Sequence, residues 1–208
     1  MHQMKFRIII ICLVSAITGA SAYSQEDELV KLKATMDAAL DVLYLDDYKE
    51  YTYEQQQEAV RVVVEQNYDL TVIIRRALAR NWKLLNAEEQ VQVAELIKKL
   101  IVKAYVGGMN GKARPCIEYG DVIAITSKRL EVLAIVTFPA GKTYNVLYRL
   151  GHLQSGWQIY DIVGEDVSIV SNYRQQFDDH FRKGNGKELI EKLEKLLKEA
   201  ELNNAPQI

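Results

Sequence analysis

His152, His180 and Cys116 are the side chains of this sequence best suited to metal ligation or nucleophilic attack. A metal site needs several ligands at short, regular spacing, and neither histidine has one. His152 falls in a predicted turn and His180 on a charged helix, so both read as solvated surface histidines. Cys116 follows Pro115 at the start of a predicted strand with no histidine beside it, which reads as a buried structural thiol. Gly141-Lys142-Thr143 has the ending of a phosphate loop, but Val136 stands where its first glycine is required. Gly111-Lys112 fails because Ala113 replaces the hydroxyl residue. The carboxylate pairs Asp46-Asp47 and Asp178-Asp179 sit where solvated surface is expected. Asp161 is different, because it interrupts an otherwise apolar strand. In a cavity it could act as a general acid or base. Its other reading is a structural partner of Arg149 on the preceding strand, and the register that decides between them is not legible here.

The elements that would position these groups follow from hydrophobic period. Glu26–Tyr48 repeats Leu29, Leu32, Met36, Leu40 and Leu43 at helical steps. Glu54–Asn67 predicts a second helix, although its valines favour strand. Asp69 can cap a third helix running through Trp82. Asn86 with Glu89 resembles a capping box, opening a helix that ends at Gly107-Gly108. The period then changes. Cys116–Thr126, bent at Gly120-Asp121, Leu130–Phe138, Thr143–Leu150 and Trp157–Val163 read as strands joined by short turns, hence antiparallel. Val132–Val136 is apolar on both faces. A helix from Ser168 to Lys183-Gly184 and another over Lys187–Glu201 close the chain. The class is α+β: a curved antiparallel sheet of about four strands, packed with N-terminal and C-terminal helices around an apolar cavity.

Residues 1–22 carry Lys5 and Arg7, then the apolar run Ile8–Ile17, then Ala20-Ser21-Ala22. That order is a secretory leader cleaved after Ala22, and the apolar run is short for a bilayer span. Cleavage removes two basic and no acidic residues, so the net charge moves from −2 to −4. No basic run of the kind nucleic acid needs is present. Cys116 would be the sole remaining cysteine, which excludes an internal disulfide. Residues 23–208 are read as one soluble domain outside the cytoplasm.

The order and spacing of residues in the last third resemble a known family. Tyr148-Arg149-Leu150 is followed by Trp157, Tyr160-Asp161, Val167-Ser168, Asn172-Tyr173-Arg174 and Phe177. Upstream, Asp69, Leu78, Trp82, Gln90 and Tyr105 fall in matching places. Together these resemble the MlaC, or toluene-tolerance, family over roughly Val60 to Leu197. Two positions depart from its pattern: Asp166 and Ala79 stand where the family commonly has glycine. The resemblance implies a periplasmic phospholipid carrier with no cofactor. It would exchange lipid with an inner-membrane MCE-domain ABC transporter complex and with an outer-membrane lipoprotein associated with a porin.

Shielding two acyl chains is worth about 0.8 kcal/mol per methylene, of order 20 kcal/mol per lipid. The pocket required would reach roughly 1,000 Å³. The expected wall is Tyr105, Leu133, Ile135, Val146, Tyr148, Trp157, Ile159, Val167, Ile169, Val170 and Tyr173. Two other classes remain open: an enzyme with a cavity that uses Asp161, and an interaction protein with a filled core.

Overall fold

The computed structural model describes residues 25–204, so the expected leader and its cleavage point lie outside the described residues. Helix α1 spans Gln25–Tyr44 and carries Glu26, Asp27 and Glu28 in its first turn, where carboxylates favour the helix dipole. Helix α2, Tyr53–Glu65, opens on a full capping box between Thr52 and Gln55. Helix α3, Leu70–Leu78, is capped by Asp69, whose carboxylate accepts from the Thr71 amide at 2.8 Å. Helix α4, Ala87–Met109, opens on the Asn86–Glu89 box, with both reciprocal bonds at 2.9 Å.

The third helix is shorter than its apolar period predicts. It stops at Leu78, and Ala79–Leu84 continues as 3-10 turns. Ala79 has φ 48° and ψ −121°, a backbone that no α-helix can contain and that a Cβ disfavours. This is one of the two places where glycine was expected.

Strands β1 (Cys116–Thr126), β2 (Arg129–Thr137), β3 (Thr143–Leu153), β4 (Gly156–Gly164) and β5 (Val167–Ser168) form one antiparallel sheet in sequential order. The short β5 is one strand beyond the expected four. It arises because Glu165 and Asp166 both take positive φ, 46° and 64°, and turn the chain back within two residues. Asp166 is the second departure from the expected glycine. The β1–β2 register shifts between Tyr119 and Val122, where the sequence placed a bend at Gly120-Asp121. Helices α5 (Ile169–Phe181) and α6 (Gly186–Asn204) follow, and Ser168 caps α5 by accepting from the Ser171 amide at 3.0 Å.

The sheet presents one face to the helices. Leu130, Val132, Ala134, Tyr148, Leu150 and Ile159 join a core with Leu32, Met36, Ile74 and Leu78 of α1 and α3. A second, smaller core packs Ala39 and Val42 of α1 against Val60 of α2 and Val102 and Val106 of α4. Cys116 is exposed rather than buried. Strand alternation explains this, since Ile117 takes the helix-facing position opposite Val136, and Cys116 falls on the other face.

Candidate functional site

An apolar cavity of about 120 Å³ lies between the sheet and the first four helices. Met36 of α1, Val60 of α2, Ile73 of α3, and Ile101 and Tyr105 of α4 form the helical walls. Tyr148, Ile159 and Ile162 form the sheet wall. Each arrives there by period: Tyr148 pairs with Val132 and Ile162 on neighbouring strands, so all three share a face. Burial pushes the Tyr148 phenol up to about 12 and the Tyr105 phenol higher still. Both therefore remain neutral at any physiological pH, and the cavity carries no charge from them.

On the far side of α4 a larger groove of about 450 Å³ runs between α4, α5 and α6. Its walls are Leu100, Ile101 and Ala104 from α4, Tyr173 and Phe177 from α5, and Leu193 from α6. Tyr173 stacks on Phe177 with ring centroids 6.2 Å apart and planes at 27°. Ile101 lines both cavity and groove. Lys103, His180 and Lys192 bring polar heads to the groove.

The expected wall residues divide into groups. Tyr105, Tyr148 and Ile159 line the cavity, and Tyr173 lines the groove. Val146, Trp157 and Val170 pack in or against the main core. Leu133 and Ile135 pair with Leu147 and Asn145, on the sheet face away from the helices, and Leu133 is 39 % exposed. Val167 and Ile169, beside the Glu165-Asp166 turn, are also exposed. Cavity and groove together are smaller than the roughly 1,000 Å³ that tail burial requires.

Sequence reasoning missed Met36, Ile73, Ile101 and Ile162. Met36 recurs on the apolar stripe of α1, and Ile73 and Ile101 fall among the apolar residues that repeat at helical steps along α3 and α4, so the period pointed to them. Ile162 was obscured by a bulge in β4. The register passes from Arg149↔Asp161 to Leu150↔Ile159, which leaves Tyr160 unpaired and resets the alternation.

Asp161 is a joint rather than an open acid. It is 5 % exposed, and its Oδ2 lies 3.2 Å from the Arg149 guanidinium. Ser168 Oγ donates to the same oxygen at 2.8 Å, and the Val170 amide donates to Oδ1 at 3.2 Å. Asp161 thus ties β3, β5 and the first turn of α5 to β4. His152 is exposed and sits edge-on to Trp157. His180 is half-buried and donates to the Asn185 carbonyl at 3.0 Å. Among the described residues, no group of three His, Cys, Asp or Glu could hold a metal ion. No helix among them is long and apolar enough to cross a membrane.

Residues 33–195 match the family described as MlaC protein. The chain belongs to the MlaC family. No curated protein sequence matches it significantly. Among solved structures, it is similar to the phospholipid-binding protein from Ralstonia solanacearum, determined in complex with a phospholipid. That likeness has a TM-score of 0.69 at 21% identity and covers 82% of this chain and 97% of the other. It establishes that this MlaC-family chain shares the α+β fold, with helices on one face of an open antiparallel sheet.

Proposed function

We propose that this MlaC-family chain is a soluble periplasmic phospholipid carrier, exported by a leader cleaved after Ala22. In this reading residues 23–208 form a single lipid-binding domain. The observation that carries the reading is the apolar cavity between sheet and helices, with the apolar groove that shares Ile101 with it. Family membership and the phospholipid bound by the Ralstonia solanacearum protein support it. Tyr105, Tyr148, Ile159 and Tyr173 would contact acyl chains, and Ile101 would have to yield for a chain to pass between the compartments. Admitting two chains requires α4 to move away from the sheet, because tail burial of order 20 kcal/mol demands near-complete contact. The protein does no chemistry in this reading. It exchanges lipid with an inner-membrane MCE-domain ABC transporter complex and an outer-membrane lipoprotein with its porin.

Native mass spectrometry of the protein, purified from periplasm without detergent, tests this, with organic extraction of the same sample. A stoichiometric mass increment identified as phospholipid is expected. An unloaded mass that also refuses added phospholipid overturns the proposal.

A further inference from the structure

A cleft of about 520 Å³ opens where α3 and the 3-10 turns meet the β1–β2 turn and the β3–β4 end of the sheet, and it shares no lining residue with the apolar cavity. Five cationic side chains line it: Arg75 and Arg76 from α3, Lys83 from the 3-10 turns, Lys128 from the β1–β2 turn and Arg129 at the start of β2. No aspartate or glutamate lines it. All five are exposed, and among the described residues none lies within ion-pair distance of a carboxylate. The chain as a whole carries a net charge of −2, so this concentration of positive charge is a local product of the fold. Sequence reading found no basic run because the cations come from two stretches separated by more than forty positions.

Aromatic rings hold the two arginines. Tyr160, the residue left unpaired by the β4 bulge, lays its ring against Gly151, where an added Cβ would meet Tyr160 Cδ1 at 3.1 Å. The Arg76 guanidinium lies 4.3 Å from the centroid of the same ring. The Arg75 guanidinium lies 5.6 Å from the centroid of Trp82. A guanidinium held over a ring by cation–π attraction can still offer N–H donors to an anion. Like charges gathered without acids repel, and a bound anion relieves that repulsion.

We infer that this cleft binds a phosphate-bearing anion, through the guanidinium forks of Arg75 and Arg76 and the charges of Lys83, Lys128 and Arg129. Phosphate is the chemistry that a planar donor fork and converging point charges fit together. The site is separate from the apolar cavity. Ile159 faces the cavity while its neighbours Gln158 and Tyr160 line the cleft, and α3 likewise gives Ile73 to one and Arg75 to the other. Two sources could supply the anion: a soluble phosphate ester, or the headgroup of an anionic lipid presented by a bilayer. The inference does not depend on lipid occupying the apolar cavity.

The test titrates the purified protein at low salt with two probes, glycerol 3-phosphate and phosphatidylglycerol vesicles. The amide and Trp82 indole signals in nitrogen-15 NMR report the first, and co-sedimentation reports the second, with phosphatidylcholine vesicles as the control. The variants are Lys128→Ala/Arg129→Ala, at the exposed β1–β2 turn and the exposed first residue of β2, and Arg75→Ala. Binding should weaken about tenfold in the double variant with unchanged thermal melting, as expected for losing two charged partners. Shifts at Trp82 with glycerol 3-phosphate assign the soluble source. Sedimentation with phosphatidylglycerol but no response to glycerol 3-phosphate assigns the headgroup. Binding of neither probe, or binding that the double variant leaves unchanged, overturns the inference.

Discussion

Arg149 and Asp161 face each other directly across β3 and β4, with guanidinium and carboxylate 3.2 Å apart. Arg149 also reaches Glu131 on β2 at 2.9 Å, so it keeps a carboxylate if Asp161 is lost. The group that would be stranded is the Val170 amide, which donates to Asp161 Oδ1 in a buried position. Asp161→Ala should therefore destabilise the protein by about 2–4 kcal/mol. Asp161→Asn, which keeps an acceptor oxygen, should cost about 1 kcal/mol. Both should retain bound phospholipid when folded. Urea denaturation and native mass spectrometry check the pair, and a turnover activity lost in Asp161→Asn with folding intact would instead favour the enzyme reading.

Ala79→Gly should stabilise the fold. The φ of 48° costs an alanine about 1–3 kcal/mol, while glycine gives back about 0.4–1 kcal/mol through the freer unfolded chain. The net expectation is a gain near 1 kcal/mol, or roughly 2–4 °C in Tm for a chain of this size. Asp166→Gly should gain less, because aspartate tolerates the left-handed region better than alanine. Calorimetry of both variants measures the difference, and a loss of stability in Ala79→Gly contradicts the assignment of strain.

Glu28 should impose a pH dependence. Its carboxylate is 1 % exposed, and burial raises its pKa above the ordinary 4.5, partly opposed by Lys31 and by the Tyr68 hydroxyl that donates to it at 2.8 Å. The folded state therefore holds the proton more tightly than the unfolded chain. Stability falls as pH rises from the ordinary carboxylate range through the raised folded value, then levels off. Glu28→Gln should remove this slope. Denaturant midpoints at pH 4, 5.5 and 7 provide the comparison, and an unchanged slope in the variant would assign the effect to other groups.

Ala104→Trp should reduce the phospholipid recovered with the protein. Ala104 is exposed on α4 and lines the groove beside Ile101, so a bulky ring there fills apolar space without disturbing the core. Lipid content per mole by native mass spectrometry is expected to fall severalfold with an unchanged circular dichroism spectrum. Full loading of the variant would remove the groove from the lipid path.

Much of the architecture was legible because local signals agreed. Asp69, Asn86 and Ser168, where the sequence predicts helix starts, each cap the helix that follows, and Thr52, which the sequence reading places outside the second helix, does the same. The end of α3 was not legible, since an alanine gives no warning of positive φ. The wall of the site was only half legible. Val132–Val136 is apolar throughout, so alternation alone could not choose between Val132-Ala134 and Leu133-Ile135. Glu131 was the available signal: a charge two positions before Leu133 marks that face as the outer one. The basic cleft was invisible for another reason, because it exists only after α3 and the β1–β2 turn come together.

The order of the sheet has a kinetic consequence. Every strand pairs with its neighbour in sequence, through turns such as Ser127-Lys128 and Gln154-Ser155. Hairpins of this kind close in about 1–10 μs, because little chain entropy is lost before contacts form. The packing of α4 against α6 must instead bridge the whole meander, as Lys103 does in donating to the Leu197 carbonyl at 3.0 Å. By sequence separation that seam should form late in folding, and the groove between α4, α5 and α6 with it. The same seam should be among the first to exchange its amide hydrogens, which would place the groove proposed for the lipid path in the part of the molecule that opens most readily.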